Sequence, residues 1–194
     1  IRDNIGYTLD AERHATLAAR LARRGYATAG FASSFVLRRA TGIAAGFDTW
    51  DAPDELPPGA PLDAAQRPAE ETVSAALRWL ERLEGRTPFL FVHLYEPHAP
   101  YQPPEPFRSR YADPYLGEIA TADAAVGRLL DGLRAAGLYS RAVVALVSDH
   151  GEGLGDHGEI QHGVFLYRST LHVPLILKLA SAAAAGARRP EPVG

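Results

Sequence analysis

Glu71-Thr72-Val73-Ser74-Ala75-Ala76-Leu77-Arg78-Trp79-Leu80-Glu81-Arg82-Leu83-Glu84-Gly85-Arg86-Thr87-Pro88-Phe89-Leu90-Phe91-Val92-His93-Leu94-Tyr95 passes from a helical period to an unbroken apolar run, with a glycine between them. Val73, Ala76, Leu77, Leu80 and Leu83 recur at helical spacing opposite Glu71, Arg78 and Arg82, which predicts an amphipathic helix. Gly85 suits the left-handed residue that stops such a helix. Phe89 to Tyr95 then reads as a strand.

The same order recurs on both sides of this stretch. Upstream, Asp10 is a candidate N-cap, Leu17, Ala18 and Leu21 share a face, and Arg23 and Arg24 suit the negative end of a helix stopped by Gly25. Tyr26 to Ala32 follows as a strand. Downstream, Ile119, Ala122, Val126, Leu129, Leu130 and Leu133 form a stripe, Gly137 ends it, and Ala142 to Ser148 is the next apolar run. Val173 to Leu179 is a fourth. Runs that are continuous rather than alternating suit parallel strands covered on both faces. The expected fold is therefore α/β, a doubly wound, mostly parallel sheet sandwiched by helices.

In such sheets ligands bind beyond the carboxyl ends of the strands, so chemistry is expected in the loops after Ala32, Tyr95 and Ser148. Pro53 to Pro68 and Pro97 to Pro106 read as extended loops, the second leaving a strand at that edge. Residues 1–180 are expected to form part of one domain. Residues 181–194, rich in Ala, Gly and Pro, are expected to be a loosely held or truncated tail.

Composition narrows the function. With 194 residues, 46% hydrophobic and 22% charged, the chain is long enough for a packed core. No apolar run approaches the ~20 residues that cross a bilayer. A net charge of -3 argues against nucleic acid as a partner, because that affinity is built from uncompensated Lys and Arg. Cysteine is absent, which excludes disulfides, thiolate metal sites and a cysteine nucleophile within these residues. The chain starts at Ile1 and has no methionine, so it is expected to be an excerpt of a longer protein.

Val147-Ser148-Asp149-His150-Gly151-Glu152-Gly153-Leu154-Gly155-Asp156-His157-Gly158 carries the most chemistry. A carboxylate and an imidazole stand side by side where a strand ends, a donor pair suited to a divalent cation. Asp149 and Glu152 also fit a capping box at a strand-to-helix junction. The further His-Gly pairs, His157-Gly158 and His162-Gly163, favour the metal reading, since a cap gives no reason for clustered imidazoles.

Ser148 to Glu152 with Gly155 to Gly158 resembles the C-terminal metal motif of the sulfatase family, within the alkaline phosphatase-like superfamily. Phe91-Val92-His93-Leu94-Tyr95-Glu96-Pro97-His98-Ala99-Pro100-Tyr101 resembles that family's second signature. The resemblance runs from about Arg2 to Lys178, the later part of a family catalytic domain. It implies that Asp149 and His150 bind one divalent cation, with Ca²⁺ preferred and Mn²⁺, Mg²⁺ or Zn²⁺ open. It implies that His98 contacts the transferred anion, although a surface histidine in a Pro-rich turn is the plainer reading. His93, inside an apolar run, reads as a core histidine.

His162 stands where many sulfatases place a lysine, and an imidazole there can still donate a proton. A solvated loop histidine is the alternative. Arg2-Asp3-Asn4 resembles the segment past the family nucleophile, which makes Asn4 a weaker substrate contact. The nucleophile itself is expected upstream of Ile1. After Gly25-Tyr26-Ala27-Thr28, Ser33 and Phe35 replace the Lys and His of many arylsulfatases, which leaves phosphate esters open beside sulfate esters.

The implied substrate is a small-molecule or glycan sulfate ester. A phosphodiesterase, phosphonate hydrolase or phosphoglycerol-type transferase is one alternative, and a noncatalytic anion- or glycan-binding domain is another. Oligomeric state and compartment are left open.

Overall fold

The structure, a computed structural model, describes residues 8–56, 58–60, 66–181 and 185–192. They fall into two compact units, Ile1–Gly132 and Leu133–Gly194.

The first unit is built on a three-stranded parallel sheet of order β2-β1-β3, with β1 at Ala27–Ala32, β2 at Thr49–Asp51 and β3 at Pro88–His93. Every residue of the central strand β1 is buried. Helix α2, Ala69–Leu80, carries the chain from β2 across to β3 and packs on both β1 and β3. Its stripe works as the sequence reading expects: Val73 and Ala76 are fully buried, and Ala75 and Ala76 sit in one cluster with Ala29 and Phe31. Burying a side chain the size of Val73 contributes roughly 1.5–3 kcal/mol. The helix stops before the expected glycine: α2 ends at Leu80 with Glu81 at its C-cap, and Gly85, at φ 82°, makes the later turn into β3.

On the other face Trp50 lies on Gly30, where a Cβ would come 2.2 Å from the indole. The indole stacks with Phe91 at 6.0 Å, and Phe47 closes the cluster. Register puts Ala32 opposite His93, so the loops after β1 and β3 leave from one edge.

Arg67 ties that edge together. Its guanidinium donates to Asp51 Oδ1 at 2.8 Å, to the Ala32 carbonyl at 3.0 Å and to Thr72 Oγ1 at 3.0 Å. Ser33 Oγ, wholly buried, lies 2.7 Å from Thr72 Oγ1.

The first helix differs from its expectation. α1 spans Leu17–Ala22, and Thr16 rather than Asp10 caps it, accepting from Ala19 N. Asp10 instead accepts the N–H groups of Glu12 and Arg13, which closes a separate turn. The face is also shifted by one residue, with Ala18 buried and Leu17 exposed. α3, Phe107–Arg110, is a single turn that no periodicity announces, and the long helix α4 covers Pro114–Ala135.

In the second unit β4, Val144–Val147, pairs with β5, Leu175–Lys178, and the pairing is antiparallel, not parallel. The connection between them holds only a 3-10 turn, Asp156–Gly158, and the one-turn helix α5, Arg168–Leu171, and re-enters the sheet at the end where it left. A parallel return needs a crossover along the sheet, usually a full helix. The strands are also less buried than their apolar runs led one to expect: Val147, Leu175, Ile176 and Leu177 are all exposed. Lys178 anchors the unit by donating to the carbonyls of Tyr139, Ser140 and Ala142. Among the described residues no helix is long and apolar enough to cross a membrane.

Candidate active site

Asp149 and His150 follow β4 directly. His150 Nδ1 lies 2.8 Å from the Gly151 carbonyl, and since a carbonyl only accepts, that nitrogen carries the proton. The lone pair is therefore on Nε2, which stands 3.8 Å from Asp149 Oδ1. The Asp149 side chain is 78% exposed. A carboxylate oxygen and an unprotonated imidazole nitrogen on one side of one turn fit two ligands of a divalent cation. Among the described residues no group of three His, Asp or Glu is placed to hold an ion.

His162 is brought to this pair. Its ring stacks on that of His150 with centroids 3.8 Å apart. Its Nδ1 lies 3.1 Å from Oε1 of Glu152, whose side chain is only 5% exposed. Against a carboxylate, Nδ1 is the protonated nitrogen and Nε2 faces away. Glu152 also accepts from Gly153 N. No helix starts here, so Glu152 is not the far end of a capping box; it orients an imidazole.

The glycines make this closeness possible. A Cβ on Gly151 would lie 2.1 Å from the Ser169 carbonyl oxygen, and one on Gly153 would lie 2.4 Å from that of Glu159. Gly155 and Gly158 turn the chain with φ 93° and 80°. His157, at φ 54°, stacks on Tyr167 and so braces the turn.

His98 lies in the first unit, in the irregular segment after β3. Its Nδ1 is 2.7 Å from the Ala99 carbonyl, the same self-contact that His150 makes, and its ring stacks on Tyr95 at 4.2 Å. The Tyr95 hydroxyl is 3.4 Å from Nε2. From α4, Glu118 reaches into the loop: Oε2 accepts from His98 N at 3.0 Å and Oε1 from Gln102 N at 2.7 Å. Burial pushes the Glu118 carboxyl above its ordinary range, the two N–H donors pull it back, and the Glu96 carboxylate pushes it up again. Beyond Gln102 a pocket of about 490 Å³ is lined by Tyr101, Pro103, Arg108 and Tyr111.

Of the residues singled out from sequence, Asp149, His150 and His162 are neighbours within the second unit. His98 is placed within the first unit, and Asn4 lies outside the described residues. His93 ends β3 opposite Ala32 and is half-buried. Glu118 and the orienting role of Glu152 were missed. A signal for the first existed, since Glu118 falls on the buried stripe of its own helix with Ala122, Ala125 and Leu129.

The sulfatase family profile matches residues 2–193. The chain belongs to the sulfatase family. Over 79 residues it is 38% identical to human iduronate 2-sulfatase, a stretch covering 40% of this chain and 14% of that enzyme. Its fold is similar to that of phosphonate monoester hydrolase from Agrobacterium radiobacter, with TM-score 0.70 and 18% identity over 89% of this chain and 54% of the other. It is equally similar, at TM-score 0.70 and 17% identity over 92% and 57%, to a protein solved with its substrate D-glucosamine-2-N,6-O-disulfate. At such identities the likeness is one of fold, here alkaline phosphatase-like α/β. This sulfatase-family chain spans about half the length of the solved structures it matches.

Proposed function

We propose that the protein to which these residues belong is a metal-dependent hydrolase of sulfate esters, and that this chain supplies cation and anion ligands. Residues 1–180 would then be part of its catalytic domain and residues 181–194 a tail. The observation that carries the reading is the Asp149–His150 pair, whose imidazole spends Nδ1 on Gly151 and turns its lone pair to the side of the carboxylate. Bound there, a divalent cation, Ca²⁺ by preference, supplies charge neutralisation for the attacking oxygen and the tetrahedral anion. The attacking hydroxyl is assigned to chain ahead of Ile1, as the family resemblance implies.

The residues of this chain position and neutralise. Because Ala99 takes the Nδ1 proton of His98, His98 donates to a nonbridging oxygen through Nε2, in its doubly protonated form. In its doubly protonated form His162 gives its Nε2 proton to the departing oxygen while Glu152 holds the other nitrogen. Asn4 adds a contact to the same anion. The substrate is a small-molecule or glycan ester.

A second reading, hydrolysis of phosphate diesters or phosphonates, is favoured by one feature. Where many arylsulfatases carry a cationic pair after the first strand, Ser33 is buried against Thr72 and Phe35 is packed in the core. Turnover of p-nitrophenyl sulfate against bis-p-nitrophenyl phosphate separates the two.

In the full-length protein, Asp149→Ala is expected to lower both calorimetric Ca²⁺ affinity and turnover by more than ~100-fold, beyond the usual effect of losing a residue that only orients a ligand. Unchanged affinity together with normal turnover in metal-stripped buffer would sink the assignment.

A further inference from the structure

Glu118 is 6% exposed, takes no part in the proposed chemistry, and accepts two hydrogen bonds, both from backbone N–H groups of one irregular loop. Those donors, His98 N and Gln102 N, are four residues apart, so the loop curls round the carboxylate with one oxygen for each. Hydrogen bonds to a charged acceptor are about twice as strong as neutral ones. The helix comes close enough because the residue before Glu118 is glycine: a Cβ on Gly117 would sit 2.7 Å from Pro103 Cγ. Tyr115, one turn earlier on α4, meets Tyr101 edge-on at 5.3 Å.

Three successive contacts of α4 thus fall on residues 98–103. We propose that Glu118 is a positioning residue, which fixes the His98 imidazole and the adjoining Tyr101–Gln102 pocket wall in one arrangement. This rests on the reading of His98 as the anion contact. The geometry gives the reason a carboxylate is needed. Residues 94–106 have no ladder to hold them, and two orphan N–H groups four residues apart call for an acceptor with two oxygens. A glutamine offers one oxygen and would point donors at a donor. Its substitution leaves one N–H unpaired and frees the ring to move, and a displacement of ~1 Å in a binding group costs about 100-fold in rate.

The test uses the full-length protein with p-nitrophenyl sulfate and bis-p-nitrophenyl phosphate as probes, and compares Glu118→Gln, His98→Ala and the double variant. Expected are a ~10- to 100-fold fall in kcat for Glu118→Gln, a larger fall for His98→Ala, and a double variant no worse than His98→Ala alone, because residues acting as a unit are not additive. If Glu118→Gln turns over normally, or its loss multiplies that of His98→Ala, the positioning role is wrong while the reading of His98 stands. If His98→Ala turns over both probes normally, the anion-contact reading fails and the proposal with it.

A wild-type measurement guards against a variant that does not fold. The amide protons of His98 and Gln102 should exchange at least ~100-fold more slowly than in an unstructured peptide. Unprotected exchange at both overturns the clamp.

Discussion

Two glutamates hold two histidines in opposite ways. Glu118 grips the backbone of the His98 loop and leaves the ring to its own carbonyl, whereas Glu152 grips the ring of His162 directly. The first device fixes where a ring is; the second fixes which nitrogen faces out. The supports differ too. The His98 loop leans on the side of a helix, through Pro103 on Gly117. The segment from Gly151 to His162 is held by main-chain bonds, with Gly151 N, Gly153 N and Gly155 N donating to the carbonyls of Thr170, Gln161 and Glu159. A loop held by a side chain can yield locally. One held by backbone against backbone yields as a whole.

The sharpest way to break that contrast is to add one methyl group to each support. In Gly153→Ala the new Cβ meets the carbonyl oxygens of Glu159 and Gln161 at 2.4 and 2.5 Å, both main chain. In Gly117→Ala it meets the edge of a proline ring. Gly153→Ala is expected to cost about 3 kcal/mol, the upper part of the overpacking range, and Gly117→Ala about 1 kcal/mol. Denaturant midpoints would read both, and equal losses would erase the distinction between the two supports.

How far these features were legible in the sequence follows from the range of each signal. The Gly137 stop and the strands after Gly85 and Gly137 were readable because period and glycine lie within one short window. The three-residue β2 is too short to leave a run, and it earns its place through Trp50 packing on Gly30. The antiparallel return of β5 was hidden for another reason: an apolar run names a strand but not its direction, which the missing crossover helix decides.

The self-contacts of His98 and His150 with the next carbonyl are local, yet they depend on backbone angles that residue type does not fix. The role of Glu152 was missed because Asp-x-x-Glu fits a helix start as well as a turn, and its burial against His162 tells them apart. Glu118 stood in plain view as an acid on an apolar stripe. Its partners are 16 and 20 residues away, beyond any periodic pattern.

A smaller effect sharpens the contrast between gripping a backbone and gripping a ring. Glu152→Gln keeps an acceptor for His162 Nδ1 and loses only the charge, so turnover of the full-length protein should fall about 10-fold, the lower end for groups that orient a ligand or its neighbour. Glu152→Ala takes this buried acceptor away from His162 Nδ1 and should cost about 100-fold. Steady-state kinetics of the two variants should therefore differ by about 10-fold. Identical losses would mean that the charge alone matters.

The smallest expected effect is a change of stability with pH, and it concerns Glu118. Its carboxyl is raised above the ordinary glutamate value of 4.5, first by burial and further by Glu96, while its two N–H donors and the neighbouring His98 imidazole oppose both. A carboxyl raised on folding binds its proton more tightly in the native state. The contribution of Glu118 is therefore fullest below pH 4.5 and is lost as pH climbs through the raised value. Glutamine at this position has no such dependence, so the stability of the wild type relative to Glu118→Gln should decline with rising pH across that window. Glu96→Gln removes one of the two upward pushes and should move the decline toward lower pH. Denaturant midpoints at a series of pH values would show this, and an advantage that grew with pH would mean that the two N–H donors outweigh burial at the clamp.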